Sequence, residues 1–151
     1  MAEIFPDEGL DDILSVYFKN GTQRTTLYLG LFTSQTASTV PGRTATGGAS
    51  PSGWTEMSAS SGTYSRQAVA AADWGSPSTN GSGRKITETA AESFIGFVGA
   101  APANGLFLAT ASASGAGDKV IFFANFDAGA ARTFASTSDS DAVTPSVQFD
   151  G

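Results

Sequence analysis

The first part of the chain has apolar residues at a helical spacing. Over residues 6–20 they recur every three or four positions, at Leu10, Ile13, Leu14, Tyr17 and Phe18. This spacing places them on one face of an α-helix, and the Asn-Gly pair that follows is a typical C-terminal signal. We therefore predict one short amphipathic helix, whose apolar face must be covered either by the core of the domain or by a neighbouring subunit.

From residue 25 onward the apolar period shortens to two. The run "TTLYLGLFT", residues 25–33, has leucines on one face and Tyr28 and Phe32 on the other, which predicts a strand covered on both sides. Turn-forming residues separate seven further strand-like runs. They are 63–70, 84–89, 93–98, 105–111, 119–126, 132–137 and 142–149. Pro145 in the last run favours an edge strand or a bulge.

About eight short strands after one helix predict a mainly β, single-domain antiparallel β-sandwich, jelly-roll-like, over residues 25–150. At 151 residues the chain fits one domain, 1–151. Residues 34–53 form a long polar loop whose only charge is Arg43, and such a loop is either mobile or an arm that makes contacts elsewhere. The Gly-rich segment 75–83 lacks a phosphate-loop ending and favours a flexible loop.

The aromatic residues divide into two groups. Phenylalanines in or beside the strand candidates are the expected core. They are Phe94, Phe97, Phe107, Phe122, Phe123, Phe126, Phe134 and Phe149. Trp54 and Trp74 lie at loop edges, where each is either a lid over an open end of the sandwich or a surface for sugar stacking or subunit contact.

Composition narrows the possible partners and chemistry. Fourteen acidic and eight basic residues give a net charge of −6, which argues against nucleic acid and anionic membranes as partners. Cys and His are absent from the sequence, so disulfides, thiolate chemistry and the commonest general base are excluded. The acidic start does not resemble a secretory signal, and no window is apolar enough to span a membrane.

Carboxylates are the remaining candidates for chemistry. The acidic residues of the first helical turns are explained by the helix dipole and by solvation. These are Asp7, Glu8, Asp11 and Asp12. Glu88 and Glu92 are either solvent-facing strand ends or the acid and base of a glycoside hydrolase. Asp139 and Asp141 form a turn or a weak calcium site. We expect no catalytic residue, no cofactor and no metal.

The segment "SSGTYSRQAV", residues 60–69, combines residue types that also occur in active sites. On a strand, Tyr64 and Arg66 share a face, where they can stack or reach a carboxylate across the sheet. Ser65 has no His or Cys partner to activate it, so we interpret the segment as structural rather than catalytic.

The order of several segments resembles a family of small virion structural proteins of tailed bacteriophages. The segments are "TTLYLGLFT", "GTYSRQAV", "GRKITETAAESFIGF", "GLFLATASASGAGDKVIFFANFD", "RTFAST" and "DAVTPSVQFD". Members are similar to capsid decoration (cement) proteins in some phages and to tail-fibre or tail-tip components in others. The likeness lies in the order of the segments and spans most of the chain.

The resemblance implies a non-enzymatic capsid decoration protein, made in the host cytoplasm and bound to the virion surface. Its partners would be the major capsid protein and itself, as a homotrimer, with affinity gained by multivalency. The alternative is a tail component that binds a host receptor or glycan. Candidate subunit or capsid contacts are Phe5, Tyr17, Arg43, Trp54, Tyr64, Arg66 and Trp74.

Overall fold

The computed structural model describes residues 3–33, 42–49, 51–57, 64–81, 83–95, 102–126, 130–133 and 140–149. Its elements, in chain order, are β1 (Glu3–Ile4), α1 (Asp7–Phe18), β2 (Thr26–Thr33), β3 (Thr55–Glu56), β4 (Gln67–Ala70), a one-turn 3-10 helix (Ala71–Asp73), β5 (Ser78–Asn80), β6 (Gly83–Thr87), β7 (Glu92–Ile95), β8 (Gly105–Ala109), β9 (Val120–Asn125), β10 (Ser140–Val143) and β11 (Ser146–Phe149). The protein is mainly β with one N-terminal helix, as predicted.

The main sheet is antiparallel and has the strand order β1-β9-β8-β2-β3, with β4 pairing along the same edge of β2 as β3. Strand β2 is covered on both faces, as its sequence predicts, with Leu29 and Leu31 on one side and Phe32 on the other, all fully buried. Gly30 is required because a Cβ at this position would lie 2.5 Å from an atom of the Phe107 ring.

Each face of the main sheet carries its own buried cluster. On the first face, leucines of β2 and β8 pack with Phe122 and Phe94. On the second face, Phe32, Phe107 and Phe123 pack with Trp54. The phenylalanines at the centres of these strands therefore form the core, as predicted.

A second layer covers the first face of the main sheet. It consists of the antiparallel sheets β11-β6-β5 and β10-β7. Phe94 of β7 and Val143 of β10 belong to the first buried cluster, and Val147 of β11 packs against it. This arrangement gives the predicted antiparallel β-sandwich.

Several local predictions were wrong, and others concern residues outside the described ranges. The predicted strand 142–149 is two strands, β10 and β11, which pair with different partners on either side of Pro145. The segment 75–83 is not only loop, because β5 pairs with β6 across a turn at Gly81, whose φ is +56°. Phe149 is 52% exposed rather than core. Phe97, Phe134 and Asp139 lie outside the described residues.

Helix α1 is confirmed, but its buried side is not its apolar stripe. The buried positions of the helix are Gly9 and Asp12, and Ile13 packs against the first cluster. Gly9 lies directly on β9, where a Cβ would lie 2.7 Å from the Cα of Ile121. Only glycine permits this close approach, and it sets which side of the helix contacts the sheet.

Candidate functional site

The most prominent exposed apolar surface in the described residues lies on helix α1. Leu14 is 52% exposed, Tyr17 80% and Phe18 81%. We call these three residues the α1 outer face. Each residue of an α-helix is rotated by about 100° from the one before it, so these positions point away from Gly9 and Asp12. The domain's own core therefore leaves most of the predicted stripe uncovered.

Polar contacts at the start of α1 hold this orientation. The carboxylate of Glu8 accepts the backbone N–H of Val120 at 2.6 Å and that of Gly47 at 2.7 Å. Asp12 forms ion pairs with Arg24 at 3.0 Å and Lys119 at 3.1 Å. The prediction that solvation and the helix dipole account for these carboxylates was therefore wrong for both, because each binds the fold directly.

The charge of Asp12 is favoured by its partners. Burial alone would raise the pKa of this carboxyl, but hydrogen bonds and charge attraction from Arg24 and Lys119 outweigh burial and lower the pKa below its ordinary value. The helix is thus tied to the residues that precede β2 and β9 by a charged group that stays ionised at neutral pH.

The second half of the predicted loop 34–53 is bound to the rest of the chain. Arg43 forms an ion pair with Asp7 at 2.9 Å, and its carbonyl accepts the Asp7 N–H at 2.8 Å. Thr46 and Ser52 form an isolated β-bridge. Residues 42–49 and 51–53 are therefore not a free arm, and Arg43 contacts α1 of its own chain.

The two tryptophans have different positions. Trp54 is 6% exposed, donates its indole N–H to the carbonyl of Thr46 at 2.9 Å, and packs against Phe107 and Phe123 with ring centroids 4.7 and 5.4 Å away. It is a core residue that covers the second cluster, so it offers no surface for a sugar or a partner. Trp74 is half-buried against the first cluster and keeps part of its surface accessible.

Phe5 and Phe149 form a second, smaller aromatic contact. Phe5 is half-buried, with its ring stacked on Phe149 at 4.8 Å and tilted against Phe122 at 5.2 Å. Since Phe122 belongs to the main sheet and Phe149 to β11, Phe5 joins the two layers of the sandwich. Its contacts in this chain are intramolecular.

Tyr64 and Arg66 lie just before β4 and meet at one carboxylate, as the prediction for a shared face required. The hydroxyl of Tyr64 lies 3.2 Å from the carboxylate of Glu56, and Arg66 binds both oxygens of Glu56 at 2.8 Å. Tyr64 also accepts the Leu31 N–H at 2.9 Å. Burial, and then the Glu56 charge, raise the pKa of Tyr64, which keeps the phenol protonated.

Every N–H of the Arg66 guanidinium has a partner. Besides Glu56, it donates to Asp118 at 3.0 Å, to the carbonyl of Ala111 at 2.7 Å and to the hydroxyl of Ser114 at 3.1 Å. The side chain is 1% exposed. Five donors matched by five bonds make a structural ion cluster, with no group left to act on a substrate. Glu56, at the end of a two-residue strand, had no sequence signal.

Glu88 departs most clearly from its prediction as a solvent-facing strand end. It is 3% exposed, and both carboxyl oxygens are buried without a hydrogen-bond partner among the described residues. Burial, and then the nearby carboxylates of Glu92 and Asp73, raise its pKa to about 7. A glycosidase acid must touch the sugar oxygen, and the oxygens of Glu88 face the interior instead.

Of the remaining acidic pair, Asp139 lies outside the described residues and Asp141 is in an ion pair. Asp141 forms an ion pair with Arg132, whose guanidinium lies 4.0 Å above the ring of Phe126. In the described ranges, no group of three or more His, Cys, Asp or Glu residues is placed to hold a metal ion. No described helix has the length and apolar character needed to cross a membrane.

Comparison with known proteins returned no relatives. The chain matches no protein-family model, no curated protein and no solved structure.

Proposed function

We propose that this chain is a non-enzymatic structural protein of a tailed-bacteriophage virion, and specifically a decoration protein that binds the major capsid protein. The resemblance in segment order motivates the proposal. The observation that carries it is the α1 outer face, where Leu14, Tyr17 and Phe18 expose apolar surface on one side of a firmly held helix.

An exposed apolar side chain alone is ordinary, but a cluster on a rigid element is typical of a protein contact. Tyr and Phe are enriched at the buried centres of protein interfaces, where they supply large contact areas. The ties from Glu8 and Asp12 fix the helix before any partner binds, which lowers the ordering cost of association.

The buried ion pairs of Arg66 are consistent with a passive structural role. We call Arg66 with its two acidic partners Glu56 and Asp118 the Arg66 cluster. Its hydrogen bonds are satisfied within the chain, so the domain needs no partner to fold around it. A trimer of such domains would present three α1 outer faces to a repeating lattice and gain affinity by multivalency. Neither trimer nor capsid binding requires a catalytic group.

Binding to purified capsids tests the proposal directly. We expect the native chain to cosediment with capsids and the double variant Tyr17→Ser/Phe18→Ser to lose most of that binding. Ile95→Ser is the matched control, because Ile95 is 60% exposed but lies on β7 rather than on α1. Equal binding by all three proteins would contradict the role of the α1 outer face.

Copy number separates the capsid from the tail. Quantitative staining of purified virions is expected to find hundreds of copies of a decoration protein, and cryo-electron microscopy to find them on the capsid surface. A handful of copies, located only at the tail, would exclude the decoration role.

The alternative is a tail component that binds a host receptor or glycan. Trp74 and Tyr17 favour it, because both keep accessible aromatic surface on which a sugar ring can stack, whereas Trp54 is buried. A glycan array comparing the native chain with Trp74→Ala tests this alternative. Binding of no sugar by the native chain would remove it.

A further inference from the structure

Glu88 lies where the pairing of strands passes from one small sheet to the other. Strands β6 and β7 follow each other along the chain, as do β10 and β11, and they pair as β6 with β11 and β7 with β10. Between the two pairings, the N–H of Glu88 donates to the carbonyl of Pro145 at 3.0 Å, and Glu88 also forms an isolated β-bridge with Trp74. We call this crossing point the Glu88 junction.

The surroundings of the Glu88 side chain disfavour a charged carboxylate. It is 3% exposed, and neither carboxyl oxygen has a hydrogen-bond partner in the part of the chain that the structure describes. A buried carboxylate without a partner is strongly disfavoured, whereas a buried neutral carboxylic acid is tolerated far better. The environment therefore selects the protonated form.

The charged groups facing Glu88 are both acidic. Glu92 approaches from β7, and Asp73 from the 3-10 helix, where its carboxylate accepts the N–H of Ala70 at 2.9 Å. Pro145, whose carbonyl accepts the Glu88 N–H, and its neighbour Thr144 carry no charge. Ionisation of Glu88 would therefore add a third negative charge to a site in which the described residues supply no cation to it.

We propose that the Glu88 junction is a pH switch, in which the protonated Glu88 holds β6–β7 against β10–β11 and its deprotonation loosens that pairing. The proposal does not depend on the virion function, because it concerns only the packing of four strands within one chain. It assigns a role to the buried carboxyl that the Arg66 cluster and the α1 outer face do not involve.

The sign of the pH dependence follows from the direction of the shift. Burial, then Glu92 and then Asp73 raise the pKa of Glu88 from an ordinary 4.5 to about 7 in the folded chain. A raised folded-state pKa stabilises the fold fully below the unfolded pKa, and this contribution is lost as pH rises through the folded value. Across that window the unfolding equilibrium constant is expected to rise by about two orders of magnitude.

Carbon-13 NMR of the glutamate carboxyl groups tests the switch in the native protein. We expect the Glu88 resonance to titrate with a midpoint near 7, and Glu92→Gln to lower that midpoint because it removes the neighbouring carboxyl that raises the pKa of Glu88. A native midpoint near the ordinary 4.5 would overturn the proposal.

Chemical unfolding at about pH 5 and about pH 8 provides the second test. The native chain is expected to lose stability between these values, and Glu88→Gln to lose much less, because its amide does not ionise. Asp11→Asn is the matched control, since Asp11 is an exposed carboxylate on α1, and it should keep the native pH dependence. The same pH dependence in Glu88→Gln and in the native chain would contradict the switch. Were Glu88→Gln unable to fold, the NMR titration would decide alone.

Added calcium distinguishes a proton switch from a cation site. At about pH 8, where Glu88 is mostly ionised, calcium is expected to leave the unfolding equilibrium of the native chain unchanged, because the switch responds to protons and not to metal ions. Stabilisation of the native chain by calcium, absent in Glu88→Gln, would show that the junction binds a cation and would overturn the proposal.

Discussion

The interior holds two buried charged sites of opposite character, the Arg66 cluster and the Glu88 junction. In the Arg66 cluster, Glu56 and Asp118 accept hydrogen bonds from a guanidinium whose N–H groups all have partners. At the Glu88 junction, three carboxyl groups gather without a cation in the described residues bound to the buried one. The comparison teaches that burial of charge is stabilising or destabilising according to whether donors and acceptors match, rather than according to burial itself.

Removal of the Arg66 guanidinium should cause the largest loss in the free energy of unfolding. Arg66→Ala leaves Glu56 and Asp118 together without their shared cation, which makes the first site resemble the second. We expect a loss of about 3–5 kcal/mol in the free energy of unfolding, measured by chemical denaturation. Arg84→Ala, at an exposed arginine of β6, is the control and should change it by less than about 0.5 kcal/mol. A small effect at Arg66 would mean that the cluster contributes little to folding.

Replacing glutamate by glutamine at the two sites should change the free energy of unfolding in opposite directions at about pH 8. Glu88→Gln removes a disfavoured charge and is expected to stabilise the fold by up to about 3 kcal/mol at that pH. Glu56→Gln weakens two charged hydrogen bonds to Arg66 and is expected to destabilise it by about 2 kcal/mol. Unfolding curves of both variants, recorded together, check the signs, and two changes of the same sign would refute the contrast.

The smallest effect on stability is expected at the α1 outer face. Tyr17→Ser and Phe18→Ser remove side chains that are about four-fifths exposed, so each should change the free energy of unfolding by less than about 0.5 kcal/mol. Thermal unfolding measures this, with Leu29→Ala as the buried comparison, expected to cost about 2–5 kcal/mol. A large loss in either surface variant would show that α1 needs these residues to pack within its own chain.

Local patterns predicted an element well where its environment does not depend on which partner covers it. Strand β2 shows this, since apolar residues on both of its faces predict burial whichever partners it has. The shared carboxylate contact of Tyr64 and Arg66 was also predictable, because two side chains on one face reach the same neighbour.

Predictions failed where the outcome depended on a distant partner. The rotation of α1 is set by the contact of Gly9 with Ile121, more than one hundred residues away, and not by the stripe itself. The local sequence of Glu88 predicts a solvent-facing strand end, but its backbone pairs with Pro145 and Trp74 and its side chain is buried. Glu56 carried no signal because its role comes only from the guanidinium that reaches it.

By itself, the sequence determined a mainly β chain with one N-terminal helix, a core of phenylalanine and leucine, and no Cys or His for chemistry. These follow from composition and from the periods of neighbouring side chains, which are local properties. Only the tertiary structure decided which side of α1 stays exposed and which buried carboxyl has a partner. Both depend on contacts between residues far apart in the chain, because a charge or an apolar face is stabilised by whatever folds against it.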